Sequence, residues 1–263
     1  MSMPTIFVSH GAPSMALQPG AAGEALQRLG SELPRPRSIL MVSAHWETQP
    51  PSLSTAEWPE TIHDFFGFPE PLYRLRYPAP GAGELAQRAA GLLQDAGIAA
   101  NLDPRRGLDH GAWVPLRYLF PDADVPVTQL SIQPQLSALH HYRAGEALRP
   151  LTDEGVLIVA SGSLTHNLSE FRQRSEEVPS YVHGFQDWVR TALESRDVCA
   201  LIEYRKRAPD AARAHPTDEH FLPLFVALGA AGAGTVYRYT DEITFGVIAM
   251  DGYVFGERAS VMA

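Results

Sequence analysis

Alternation is the feature that most limits what this chain can fold into. Short unbroken apolar runs recur along it, and segments with helical spacing lie between them. Runs over residues 5–9 (TIFVS), 38–43 (SILMVS), 125–131 (VPVTQLS) and 156–161 (VLIVAS) have the length and β-branched content of strands buried on both faces. Segments 23–31, 83–95, 139–148 and 181–192 carry apolar residues every three or four positions, as amphipathic helices do. In 83–95, for example, Leu85, Ala89, Leu92 and Leu93 share one face. Residues 221–229 are apolar and are expected to be helical, and 235–239 and 245–251 to close the sheet as a hairpin around Asp241. The pattern predicts one α/β domain spanning 1–263, with a mixed, largely parallel sheet flanked by helices. Sheets of this kind bind ligands at the carboxyl ends of their strands, so the site is expected at that edge.

Composition removes several function classes. The formal net charge is −9 and the densest basic patch is Arg205, Lys206 and Arg207, which disfavours nucleic-acid binding. The single cysteine, Cys199, excludes an intrachain disulfide and any cysteine-based zinc cluster. The opening MSMPTIFVSHG lacks the basic and apolar regions of a signal peptide, and no apolar stretch reaches about 18 residues. The expectation is therefore a cytoplasmic protein with no membrane partner, monomeric or a small homo-oligomer. Residues 58–80, rich in proline and aromatics, form the longest stretch without periodicity, so they are expected to fold over the core as a surface excursion or a lid.

Ten histidines are present, and their placement matters more than their number. His10 follows the first strand, His45 the second and His166 the fourth, so three imidazoles are expected at one edge of the sheet. His110 precedes an apolar run and His220 sits just before residues 221–229. Neutral imidazole is the commonest metal ligand in proteins, and this gathering points to a metal site. His63, in the aromatic excursion, is a candidate to meet a substrate, whereas His140, His141 and His183 fall on helical segments and are expected to pack or face solvent. The chain lacks the His-Glu-x-x-His, Gly-x-Gly-x-x-Gly and Walker A patterns. It also lacks the Gly-x-Ser-x-Gly elbow that would support Ser163 as a nucleophile with His166 as its base.

The segments SHGAP at 9–13, SAHWE at 43–47, LDHGAWVPL at 108–116, SGSLTHNL at 161–168 and HPTDEHFLPL at 215–224 resemble, in order, the class III extradiol ring-cleavage dioxygenases of the LigB-like superfamily, in particular the DOPA 4,5-dioxygenase branch. The resemblance implies one divalent metal ion per chain, Fe(II) or Zn(II), at the carboxyl edge of the sheet, with a small catechol and O₂ as substrates. It implies His10 and His45 as metal ligands, His166 as the acid/base residue and possible further ligand, and His110 near substrate and O₂. The common non-haem iron triad has two histidines and one carboxylate. Here the third ligand falls at His220, with Glu219 as the alternative, and three histidines also suit zinc. A helix starting near Thr217 would let only one of Glu219 and His220 face the site, with Asp218 or Glu219 as its cap. Asp109 and Asn167 are candidates to fix ring tautomers, and Trp46 and Trp113 are expected either to wall the pocket or to pack in the core. The competing readings are a zinc hydrolase or other metal-water enzyme, and a non-catalytic binding protein on the same fold.

Overall fold

The computed structural model describes residues 2–171 and 177–256. The strands in chain order are β1 (Thr5–Ser9), β2 (Ser38–Glu47), β3 (Ser52–Ser54), β4 (Asn101–Asp103), β5 (Val127–Ile132), β6 (Val156–Gly162), β7 (Thr235–Thr240), β8 (Ile243–Thr244), β9 (Ile248–Ala249) and β10 (Gly252–Gly256). Eight of them form one sheet in the order β4-β3-β5-β2-β6-β1-β10-β7, and β8 and β9 form a small separate ribbon. The central strands β5, β2, β6 and β1 are mutually parallel. The expected α/β architecture with a mixed, largely parallel sheet is therefore what the chain adopts.

Helices cover both faces, which is why the central strands are apolar without alternation. Thr5 Oγ1 donates to Ala227 O on the helix Leu222–Ala231. Ser161 Oγ donates to Gly111 O on the helix His110–Leu119. Ser161 is in register with Val8, three residues from Thr5, so these two helices lie on opposite sides of the sheet. His110–Leu119 is backed by the helix Gly20–Glu32, and Leu222–Ala231 by the helix Ala138–Leu148.

The helix Leu222–Ala231 is buried from Leu222 through Ala230, so it shows no polar stripe. Its crossing with Ala138–Leu148 is made by two glycines. A Cβ at Gly229 would stand 2.1 Å from Tyr142 O, and one at Gly145 would stand 2.2 Å from Val226 O. Only hydrogen side chains let the two backbones approach so closely.

Several boundaries differ from the sequence reading. β2 runs on to Glu47, but its pairing with β5 breaks between Val42 and Glu47, so His45 sits in an irregular strand end. β5 starts at Val127 because Pro126 has no N–H to give a ladder. Residues 245–251, expected as a closing strand, instead hold a turn and the short β9. The sheet closes through β10, antiparallel to β1 and β7. β3 and β4 have three residues each, too few to show a period. The excursion over 58–80 contains one short helix, Glu70–Arg74, and is pinned to the core: Thr61 bridges to Leu108, Trp113 Nε1 donates to Ile62 O, and Tyr77 Oη donates to Phe120 O. Among the described residues, no helix is long and apolar enough to cross a membrane.

The glycine crossing generates a stability test. Gly229→Ala forces backbone apart and is expected to cost about 1–3 kcal/mol, lowering Tm by about 2–4 °C per kcal/mol. Gly91→Ala, on a helix with nothing within 4 Å of the new Cβ, should instead raise Tm slightly. Equal shifts for the two variants would remove close helix contact as the explanation.

Candidate metal centre

Because β2, β6 and β1 are adjacent and parallel, their carboxyl ends present residues side by side. His10 is the first residue past β1, and its backbone N–H donates to Gly162 O at 3.0 Å. Its Nδ1 lies 3.0 Å from Ser161 Oγ on β6. The single hydroxyl hydrogen of Ser161 goes to Gly111 O at 2.5 Å, so Ser161 Oγ can only accept from His10. That assigns the hydrogen of the His10 ring to Nδ1 and leaves Nε2 bare.

His220 is oriented by the same logic. Its Nδ1 lies 2.9 Å from Glu219 Oε1, and a carboxylate offers only lone pairs, so Nε2 is again bare. The His45 Nε2 atom lies 2.9 Å from His10 Nε2 and 3.3 Å from His220 Nε2. The His10 and His220 nitrogens are bare, and a hydrogen on His45 Nε2 could satisfy only one of them, whereas a cation placed between the rings would engage all three. Nitrogen ligands about 2.0–2.1 Å from an ion stand about 2.9 Å apart at a right angle and about 3.3 Å apart at the tetrahedral angle. The donor set therefore fits one divalent ion. Burial, then the crowd of other imidazoles, holds His10 and His220 well below the usual histidine range, and burial pushes His45 down to about 4. Neutral rings with free lone pairs are what a metal requires.

The turn that carries His220 is fastened to the end of β6. Ser163 N–H donates to His220 O at 2.8 Å, and a Cβ at Gly162 would stand 2.0 Å from that same oxygen. Tyr204 and Arg205 both donate to Asp218 Oδ1, and Arg205 also donates to His215 O at 2.5 Å. His215 is buried, bonded through Nε2 to Leu164 O, and packs on Phe221. The expected helix start near Thr217 is corrected: the helix begins at Leu222, and neither Asp218 nor Glu219 caps it. Asp218 is taken by Tyr204 and Arg205, and Glu219 by the His220 ring and Thr217 Oγ1.

Two further histidines face the same cavity. The His166 ring stacks on His220, with centroids 3.4 Å apart and 16° between planes, and its Nδ1 lies 3.9 Å from Glu219 Oε1. Burial, opposed by Glu219, pushes His166 down to about 4. His110 opens its helix, and its ring lies 4.0 Å from that of His45. Ligand atoms of His10, His45 and His110 fall within 4.8 Å of one another, so His110 also stands close to the point where the other rings converge. The His110 Nδ1 faces Asp64 Oδ2 at 2.9 Å. Burial alone would raise Asp64, but its hydrogen bonds to His110 and the nearby rings hold it down to about 2.

Among the remaining candidates, some expectations are corrected and others agree with the structure. Asp109 hydrogen-bonds to no histidine ring: it caps the helix His110–Leu119 through Ala112 N–H and accepts from Ser43, Arg106 and Gln129. Asn167 donates to Arg213 O instead of fixing a histidine. Trp46 stacks under Arg106 and Trp113 is fully buried, and neither lines the cavity. His63 is turned away, with Nε2 3.1 Å from Leu75 O. Ser163 Oγ donates to Thr165 O, so no serine–histidine pair forms. His141 is buried and bonded to Gln133 N–H and Ser137 O, and His183 is exposed. The sequence reading missed Asp64 and Ser161, whose only signal was proximity to histidine motifs.

The cavity holds about 410 Å³. Its imidazoles are those of His10, His45, His110 and His166, and its walls include Phe65, Phe68, Leu168, Phe171, Phe245 and Ile248. That is an apolar pocket with a few converging polar groups, the usual form of a small-molecule site.

Residues 4–256 match the family described as the catalytic LigB subunit of aromatic ring-opening dioxygenase. The chain belongs to the LigB family. It is 46% identical over 232 residues to a Beta vulgaris protein named 4,5-DOPA dioxygenase extradiol, covering 87% of each chain. An Escherichia coli K12 protein of the same name is 40% identical, covering 87% of this chain and 85% of its own. The crystal structure of an uncharacterized protein from Escherichia coli K12 matches with a TM-score of 0.81 at 33% identity, covering 97% of this chain and all of the other. The motifs that suggested the family lie within the matched span.

Metal binding should discriminate between the two adjacent side chains of the HPTDEHFLPL motif. His220→Ala is expected to weaken Zn(II) or Fe(II) binding more than Glu219→Ala, which removes only the group that orients the ring. Ser161→Ala should cost about 10–100-fold in metal affinity. Dissociation constants in the reverse order for the first pair would make Glu219 the ligand.

Proposed function

We propose that this LigB-family chain is a metal-dependent extradiol dioxygenase that opens a catechol-type ring beside its two hydroxyls with O₂. One divalent ion per chain, Fe(II) or Zn(II), is held by His10, His45 and His220. The observation that carries the proposal is the convergence of three Nε2 atoms at 2.9 and 3.3 Å beside an apolar cavity. When bound, the ion supplies positive charge that favours the ionised catechol and a common seat for ring and O₂. The relatives' name makes a dihydroxyphenyl compound the first substrate class to test.

The chain's own groups divide the remaining work. Phe65, Phe68, Phe171 and Phe245 offer aromatic and apolar surface to a planar ring and exclude water. His166 is neutral, lines the cavity and takes the proton that a catechol hydroxyl loses. Glu219, 3.9 Å away, favours the cation so formed, and the same proton is then available to the ring-derived intermediate. His110 stands beside His45, where it can meet a substrate hydroxyl or O₂. The three-histidine donor set also suits a zinc enzyme that activates water, which is the second reading.

Anaerobic loading with Fe(II), followed by a catechol panel in air, decides between them. The expected result is O₂ uptake in step with a yellow ring-fission product. Zn(II)-dependent hydrolysis with no O₂ uptake supports the second reading, and metal binding without any turnover supports a binding protein. His166→Ala should keep its metal while turnover falls about 10²–10⁴-fold. A variant with the wild-type rate removes His166 as the base, and one that loses its metal makes His166 a ligand.

A further inference from the structure

Asp64 comes from the aromatic excursion, next to Phe65 in the cavity wall. Its Oδ1 accepts the backbone N–H of His110 at 2.9 Å, and its Oδ2 faces His110 Nδ1 at 2.9 Å. The His45 Nδ1 atom is 3.6 Å from the same Oδ2, outside hydrogen-bond reach. An ionised carboxylate only accepts, so a His110 ring that holds one hydrogen carries it on Nδ1. The other ring nitrogen, Nε2, is then bare, on a ring that lines the cavity together with His10, His45 and His166.

We propose that Asp64 is a positioning residue that locks His110 in the Nδ1–H tautomer, so that its Nε2 lone pair accepts a hydrogen bond from a hydroxyl of the bound substrate. The identity of that hydroxyl rests on the catechol reading, but the tautomer does not. Asp64→Asn separates shape from chemistry. The backbone N–H of His110 is a fixed donor, so it claims the amide oxygen. The amide NH₂ then faces Nδ1, which must become the acceptor, and the ring hydrogen moves to Nε2. The side chain keeps its size while His110 turns from acceptor to donor toward the cavity.

The test uses Zn(II)-loaded protein with ¹⁵N-labelled histidine, whose protonated and bare ring nitrogens give distinct NMR shifts. His110 is assigned by the signals lost in His110→Ala. Wild type should show hydrogen on Nδ1 and Asp64→Asn hydrogen on Nε2, with zinc content unchanged. In Fe(II)-loaded protein, Asp64→Asn should lower kcat about 10–100-fold with little change in KM. Hydrogen on Nε2 in wild type overturns the proposal without recourse to any variant. So does an unchanged tautomer in Asp64→Asn, or zinc loss with the tautomer unchanged, which would assign Asp64 to His45. A switched tautomer with unaltered kcat shows that the lone pair is not used and also overturns it. If no catechol supports O₂ uptake while the tautomers behave as stated, the dioxygenase reading fails and the tautomer lock stands.

Discussion

Two consecutive residues at the end of β6 hold the site together. Ser161 points to one face of the sheet, where its hydroxyl joins the helix His110–Leu119 to the His10 ring. Gly162 points to the other, where the absence of a side chain admits the His220 carbonyl. Strand alternation thus lets one short segment fix histidines that arrive from opposite layers. The hydroxyl also sets a tautomer and the glycine a backbone distance, so the two residues are not interchangeable with others of similar size.

The second dependence is electrostatic. Five histidine rings share a small buried volume, and burial disfavours charge on His10, His45, His166 and His220. Three of the rings direct a hydrogen outward, His10 to Ser161, His220 to the carboxylate of Glu219 and His110 to that of Asp64. The carboxylates therefore sit behind the rings and orient them. On the proposed reading, this arrangement distinguishes the site from one in which a carboxylate binds the ion directly.

Much of the architecture was legible because the signals were local. The apolar run before His10 and the helical spacing of 83–95 each specify an element without reference to the rest of the chain. His10, His45 and His220 stood in motifs whose order alone suggested a family. What escaped depended on distance in space. Asp64 lies in a segment without periodicity, and its partner His110 is 46 residues away. Asp109 looked like a ring partner because it adjoins His110, yet its side chain is consumed by a helix cap and by Ser43, Arg106 and Gln129. The closing strand was misplaced because residues 245–251 are apolar for a different reason: Phe245 and Ile248 wall the cavity.

The donors His45 and His220 are 175 residues apart in sequence. An ion seated between them is a reversible cross-link between the early and late parts of the chain. By mass action, an ion that binds only the folded form stabilises it by about 2.7 kcal/mol when present at 100 times its dissociation constant. On the proposed reading, metal supply would help determine how long the protein survives in a cell, and loss of the ion would remove activity and resistance to unfolding together.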